Sequence, residues 1–372
     1  MNWFGRKSAP APATLPAWST YACASDSDAS PRSYQARISE VFLNNPVGQR
    51  SVRLVAGTVA ALPIDQTEGN QQAASLALKP RLLETIATHL LLQGNAYLYC
   101  VEGQFGLTEL VPLRPEKVSI TVDERGWPAG FVYRGGNGGV VRYTARDGLG
   151  RPQIIHLRAL NPTDDHLGLG CMDAAIAAAC LHNRATRWNR SLLDNAARPS
   201  GAMVYDPPDG STLTGEQLSR LREQIDQHFA GGLNAGRPLL LEGGLKWQAL
   251  GLSPNDMDFV SLKEAAARDI ALAFGVPPVL LGLPGDTAYA NLREAGRALY
   301  RQTVLPLAER MLEALTEGLH DWLGPIKFAV DLDRVSELTE DRERMWQRIE
   351  AANFLSRAEK REQLGFSPDI AA

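Results

Sequence analysis

The sequence of 372 residues lacks the features that mark secreted, membrane and metal-binding proteins. Its four cysteines lie far apart without a C-x-x-C pair, so we expect neither a disulfide framework nor a structural zinc site. It contains no run of about 18 apolar residues, which argues against a transmembrane helix and membrane contact. Residues 1–16 also lack the apolar core of a secretory signal.

Catalytic motifs are missing as well. There is no Gly-Lys pair, so the phosphate-binding loop of nucleotide hydrolases is absent, and neither G-x-S-x-G nor H-E-x-x-H occurs. The glycine-rich stretch 135–139 precedes a predicted strand and therefore lacks the helix N-terminus that binds pyrophosphate. We therefore predict that the chain is not an enzyme and needs no cofactor or metal.

Charge is distributed unevenly along the chain. The whole chain has a formal net charge of −4, which is unusual for a nucleic-acid coat, because phosphate-binding surfaces are strongly basic. Residues 1–213 carry 20 basic and 18 acidic side chains, whereas residues 214–372 carry 18 and 24. The acidity therefore belongs to the second part.

Hydrophobic periodicity predicts a mixed α+β chain. Residues 1–33 are rich in Ala, Pro and Ser and are expected to form a mobile arm. A helix over Lys79–Gln93, ended by Gly94, precedes a section of short strands from Tyr97 to Leu157 with glycine-rich turns, which suggests a small barrel or sandwich. A helix is predicted to follow over Met172–Ala197.

The remainder is predicted to be mostly helical. A capping box at Thr214 opens one helix, and two short β-like segments, 238–241 and 245–250, form a predicted hairpin. A long helix from Asn291 to Leu319 contains Pro306, where we predict a kink.

Two polar groups are candidates for chemistry. Asp164, Asp165 and His166 could bind a metal or act as an acid/base pair, but adjacent acids beside Pro and Gly are more often a solvated turn. The second group is a helical stripe of Arg184, Arg187 and Arg190. It could face nucleic-acid phosphate, a neighbouring subunit or solvent, and we favour the subunit interface.

The segment Phe274–Gly282, with the sequence Phe-Gly-Val-Pro-Pro-Val-Leu-Leu-Gly, resembles the portal proteins of tailed double-stranded-DNA phages. The similarity is to the siphophage-type branch, which includes gene-transfer-agent portals. Other segments fit the same family in order and at sensible spacing: Gln93–Tyr97, Trp188–Gly201, Ala288–Pro306 and Arg357–Gly365.

This resemblance implies a portal fold assembled as a ring, expected to be a dodecamer, at one capsid vertex of the virion. Double-stranded DNA would enter and leave through its central channel. A terminase would dock on it during packaging, a head-completion adaptor with the neck and tail afterwards, and the major capsid protein would surround it. Assembly would take place in the cytoplasm of the bacterial host.

The resemblance also implies a division of the chain into regions. These are an arm (1–33), a wing (34–213), stem helices (214–231 and 253–275), a clip (232–252), a channel loop (276–290), a long kinked helix (291–320), a strand returning to the wing (325–334) and a crown (335–372).

Residue roles follow from this division. The channel loop would contact DNA through Gly282, Pro284, Gly285, Asp286 and Thr287. The channel wall would carry Glu216, Glu223, Asp226 and Glu264, because an acidic lining binds phosphate weakly and lets DNA slide. The clip would dock on neighbouring clips or partners through Leu239, Leu240, Leu241, Leu245 and Trp247.

Two alternatives from other classes remain open at this point. The first is a metal-dependent hydrolase that uses Asp164, Asp165 and His166. The second is a scaffold protein that binds DNA on the arginine stripe without forming a ring.

Overall fold

A computed structural model of the chain describes residues 14–16, 33–68, 71–136, 138–194, 201–205, 214–217, 219–220, 245–249, 259–284 and 289–364. The chain divides into two compact units. The first comprises Met1–Ile176 with Ala271–Ala372, and the second comprises Ala177–Ile270. Both helices and sheets are present, as the α+β prediction requires. Within the described ranges, no helix has the length and apolar character needed to cross a membrane.

The helices, in chain order, are α1 (Tyr34–Ile38), α2 (Pro46–Ala60), α3 (Gln71–Ala77), α4 (Pro80–Gln93), α5 (Cys171–Asp194), α6 (Phe259–Ala273), α7 (Tyr289–Leu299), α8 (Leu305–Leu323), α9 (Thr339–Ala351) and α10 (Arg357–Gln363). The strands are β1 (Thr14–Pro16), β2 (Ile64–Glu68), β3 (Asn95–Gly103), β4 (Gly106–Leu113), β5 (Val118–Val122), β6 (Pro128–Arg134), β7 (Val140–Thr144), β8 (Ile154–Arg158), β9 (Gly201–Tyr205), β10 (Leu245–Ala249) and β11 (Lys327–Val330).

Helices α2 and α4 pack together in the first unit. The Asn45 side chain caps α2 by accepting hydrogen bonds from two backbone amides, and Pro46 occupies the first turn, where a missing N–H costs nothing. Gly94 ends α4 with a φ of 76°, which confirms the predicted terminus.

The β-rich section forms two antiparallel sheets, with strand orders β4-β3-β8 and β1-β5-β6-β7. Both sheets contribute to one core, in which the Tyr97 ring meets the Phe131 ring edge to face, with 5.8 Å between their centroids. The other buried members of this core are Leu113, Val118, Ile120, Ile154 and Leu167. Of the two predicted arrangements, this shared core corresponds to the sandwich.

Part of the predicted N-terminal arm has regular structure. Strand β1 lies within residues 1–33 and pairs with β5, with Leu15 opposite Ile120. The sequence did not indicate this strand, because three residues are too few to show a periodicity. Residues 1–13 and 17–32 lie outside the described residues.

The predicted returning strand is present and pairs with a strand that the sequence did not indicate. Strand β11 runs antiparallel to β2, whose polar sequence suggested a connecting segment. The strand is shorter than the predicted 325–334. The Asp331 side chain accepts a hydrogen bond from the Asp333 amide and starts a 3₁₀ turn over Leu332–Arg334, which ends the strand.

The long helix is irregular one turn earlier than predicted. A π-helical turn over Tyr300–Val304 separates α7 from α8, and Pro306 lies in the first turn of α8. Proline lacks the N–H that would continue a regular helix, so the hydrogen-bond pattern changes before it.

The second unit contains most of α5, strands β9 and β10, and most of α6. The Trp188 ring on α5 stacks on the Phe259 ring of α6, with 4.1 Å between centroids. The capping box at Thr214 is confirmed, because the Thr214 amide donates to Gln217 Oε1 over 2.9 Å and the Gln217 amide donates to Thr214 Oγ1. Strand β10 pairs with β9, which was not expected, while residues 238–241 of the predicted hairpin lie outside the described residues.

Two histidines that the fold partly removes from water make stability sensitive to acid. His156 stacks on Tyr97 at 4.3 Å, and burial, with Arg158 and His166 nearby, lowers the pKa of His156 to about 3. Burial and Arg114 lower the pKa of His89 to about 4. The unfolded chain, with histidine pKa values of about 6.5, therefore binds more protons below that pH, and each histidine removes up to about 1.4 kcal/mol of stability per pH unit.

We therefore expect the free energy of unfolding to reach its full value above about pH 6.5. It should fall by about 1–3 kcal/mol on acidification to about pH 5.5. Urea unfolding at the two pH values measures this loss. His156→Gln cannot titrate and should show a smaller loss, because His89 and His182, whose pKa values are also lowered by burial, still contribute. An unchanged pH dependence in this variant would contradict the assignment to His156.

Candidate functional site

The turn between α6 and the predicted channel loop is rigidly defined. Phe274 and Val276 are buried, and Gly275 between them has a φ of 65°. The Val276 amide donates to the Ala271 carbonyl and the Gly275 amide to the Leu272 carbonyl, both over 2.9 Å. This pair of hydrogen bonds is a Schellman motif, which requires a residue that tolerates positive φ. The Schellman motif therefore explains why a glycine stands at position 275 of the family-like segment 274–282.

Gly275 also contacts the π-helical turn. Thr303 Oγ1 donates to the Gly275 carbonyl over 2.7 Å, and a Cβ atom at position 275 would lie 2.6 Å from Thr303 Oγ1. The end of α6 and the start of α8 are thereby held together at a distance that only glycine permits.

The root of the predicted channel loop continues this turn. A 3₁₀ turn over Pro278–Leu281 ends at Gly282, which has a φ of 71° and donates to the Val279 carbonyl over 3.2 Å. Of the predicted DNA-contacting residues, Gly282 and Pro284 lie in the described chain, whereas Gly285, Asp286 and Thr287 lie outside it. The loop is therefore anchored at its first end by backbone geometry.

The far end of the loop leads into α7, which is tied to the predicted crown by ion pairs. Arg293 on α7 donates to Glu340 on α9 over 2.8 Å, and Arg297, which is 8% exposed, bonds both Glu340 and Glu294. These arginines, Arg297 foremost, lower the pKa of the Glu340 carboxyl. We did not predict this network; one signal of it was present in the sequence, the i,i+3 spacing of Glu294 and Arg297.

The predicted channel-wall and clip residues lie in the second unit. Glu216 is exposed on a short helical segment and Glu264 is half-buried on α6, while Glu223 and Asp226 fall outside the described residues. Leu245 and Trp247 lie on β10. Leu239, Leu240 and Leu241 lie outside the described residues.

The three arginines of the predicted interface stripe are all exposed on α5. Arg184, Arg187 and Arg190 lie on the surface of the helix, while His182 and Ala185 are buried. The structure thus presents the stripe at the surface, as an interface requires.

The Asp164-Asp165-His166 cluster forms a turn. Asp164 Oδ1 accepts hydrogen bonds from the amides of His166 and Leu167, each over 2.8 Å, and Arg158 binds the Asp165 carbonyl. In the part of the chain that the structure describes, no group of three or more His, Cys, Asp or Glu side chains could hold a metal ion. The geometry favours the turn interpretation and gives the hydrolase alternative no site.

A buried asparagine explains a second family-like segment, 93–97. Asn95 Nδ2 donates to the Gly168 carbonyl over 3.0 Å, and the Gly168 amide donates back to Asn95 Oδ1 over 2.8 Å. A Cβ atom at Gly168 would lie 2.0 Å from the Gly94 carbonyl oxygen, so the two segments meet at glycine. This contact fixes the loop before α5 against the end of α4.

Comparison with known proteins places these features in a family context. A family model described as phage portal protein matches residues 46–365. A chain in the neck of a native gene transfer agent particle, computed with C12 symmetry, is 44% identical with a TM-score of 0.69, over 91% of this chain and 95% of that chain.

Two curated proteins are also similar to this chain. An uncharacterized protein of Rickettsia felis is 39% identical over 77% of this chain and 74% of its own length. The probable portal protein of Streptomyces phage phiC31 is 27% identical over 70% of this chain and 60% of its own length.

Alanine substitutions at three glycines distinguish the energetic cost of backbone strain from the cost of a steric clash. Gly282→Ala should cost about 1–2 kcal/mol because its φ is positive although no atom lies within 4 Å of the added Cβ. Gly275→Ala should cost about 2–4 kcal/mol because it adds the clash with Thr303. The control Gly296→Ala, in open space on α7, should be neutral or gain up to about 1 kcal/mol.

Denaturant unfolding of the three variants measures these differences. Equal losses for Gly275→Ala and Gly282→Ala would refute a role for the Thr303 contact.

Proposed function

The chain belongs to the phage portal protein family, and we propose that its subunits contact one another head to tail in a ring at one capsid vertex, through which double-stranded DNA passes. It is a capsid portal and a structural component of a virion-like particle. The observation that carries this conclusion is the 44% identity over nearly the full length of a gene transfer agent neck protein. The C12 symmetry of that neck supports a ring of twelve subunits.

We infer that the channel loop, residues 276–290, touches the passing DNA. Its first end is fixed by the Gly275–Thr303 contact and the 3₁₀ turn, and its second end by the arginines that bind Glu340. A loop held at both ends can reach a duplex while its roots stay in place. Gly282, Pro284, Gly285, Asp286 and Thr287 are the proposed contacts.

The acidity of the second part of the chain suits a conduit. Each neutralised phosphate adds to DNA affinity, so a basic lining would hold the duplex, whereas an acidic one leaves contacts weak. We propose Glu216, Glu223, Asp226 and Glu264 as the channel wall. Their role rests on charge and on their place in the stem segments.

The remaining contacts are assigned by region. We propose that Arg184, Arg187 and Arg190 bind an acidic surface of the neighbouring subunit, since all three are exposed on one helix. Leu239, Leu240, Leu241, Leu245 and Trp247 would join neighbouring clips and form the platform for the terminase, and later for the head-completion adaptor. The wing would face the major capsid protein.

The ring is tested with the purified full-length chain. Native mass spectrometry and negative-stain imaging should show closed rings with an axial hole. A chain that stays monomeric under particle-like conditions would overturn the portal proposal.

The arginine stripe has its own test in the same assay. Arg187→Glu should lower the ring fraction at least about tenfold, because a repulsive charge replaces an attractive one at every contact. Arg81→Glu, at another exposed arginine, on α4, is the matched control and should assemble normally. Normal rings in Arg187→Glu would remove the stripe from the interface and leave the portal assignment intact.

The channel loop is tested in assembled particles. Asp286→Lys replaces a negative by a positive charge in the proposed loop, a change of two charge units per subunit, and should reduce nuclease-protected DNA per particle severalfold, because cationic contacts retain phosphate. Glu124→Lys, an exposed acid in the β5–β6 turn, should package normally. Normal packaging both in Asp286→Lys and after deletion of residues 285–287 would refute the loop assignment.

A further inference from the structure

The first unit contains an open groove of about 400 Å³ that none of the assigned roles uses. It lies between α4, the end of β8, the turn after α6, and α8. Its walls are more apolar than polar: Leu90, Leu157, Phe274 and Leu307 line it together with Arg158, Gln302, Thr303 and Arg310. A concave apolar surface of this kind favours an apolar partner.

Two leucines at the groove are exposed to an unusual degree. Leu160 follows β8 and is 84% exposed, and Leu272 near the end of α6 is 77% exposed. Single exposed apolar residues are common, but two beside an apolar groove form a patch that typically marks an interaction site.

The position of the groove identifies its partner, and this step rests on the proposed function. Phe274 and Gly275 line the groove and are also the root of the channel loop. If the channel loops touch DNA on the ring axis, as proposed above, the surface beside their roots lies where neighbouring subunits come close to one another. A closed ring also requires two different, complementary surfaces on every subunit.

We propose that this groove is one half of the subunit interface and receives apolar side chains of the adjacent copy in the ring. The groove also bears two arginines, Arg158 and Arg310, while the chain as a whole carries a net charge of −4. A second copy therefore offers carboxylates to these arginines as well as apolar side chains to the groove.

Charged substitutions at the exposed leucines test the proposal without disturbing the core. Leu160→Glu and Leu272→Glu should each raise the protein concentration needed for half-assembly at least about tenfold, as measured by analytical ultracentrifugation. Leu149→Glu is the matched control, because Leu149 is 76% exposed on the β7–β8 loop, away from the groove. It should assemble within about twofold of the unmodified chain.

A native thiol reports directly on the groove. Cys171 lines it and is half-buried, whereas Cys100 is buried in β3 and serves as an internal reference. N-ethylmaleimide labelling, quantified for each peptide by mass spectrometry, should be at least about tenfold slower at Cys171 in rings than in the Leu160→Glu monomer. Circular dichroism verifies that the monomer is folded.

The assembly and labelling experiments together identify what occupies the groove. Rings that form normally from both leucine variants and still label at Cys171 overturn the groove proposal while leaving the portal assignment in place. Slow labelling in the monomer would also overturn it, because the chain itself would then fill the groove. Protection that appears only in complete particles would assign the groove to another particle protein, and an unmodified chain that forms no ring would refute the portal function.

Discussion

The contact between Gly275 and Thr303 is the constraint on which the functional part of the first unit depends. It joins the end of α6 to the π-helical turn before α8, at the root of the proposed channel loop. Only glycine fits, because the backbone has positive φ and the threonine hydroxyl occupies the space of a Cβ atom. The turn forms both the root of the loop and part of the groove wall, so the Gly275–Thr303 contact holds both in place.

The other end of the proposed channel loop is also held in place by a contact between distant segments. Glu340 binds two arginines of α7, so the helix that leaves the loop is coupled to α9 by charge rather than by apolar packing alone. Charge-assisted hydrogen bonds of this kind fix orientation strongly when one partner is largely buried, as Arg297 is. DNA acting on the loop would therefore be resisted at both roots, by backbone geometry on one side and ion pairs on the other.

Local signals in the sequence predicted local structure well. Gly94 and the Thr214 capping box ended or began helices where expected, because these signals act within one helical turn. Strands β2 and β9 were missed, since each is short and pairs with a segment far away in sequence. The helix break preceded Pro306 because the missing N–H disturbs the turn before the proline.

The sequence by itself determined the family, the α+β class and the uneven charge, all of which depend on residue identity and short-range spacing. It also marked segments 274–282 and 93–97 without explaining them. Only the tertiary structure decided why those segments are required, through the Thr303 and Gly168 contacts, and it showed that the Asp164 carboxylate accepts hydrogen bonds from the amides of its own turn. The reason is physical: hydrogen bonds and close approaches between distant segments depend on how the chain returns on itself, and no short-range pattern encodes that path.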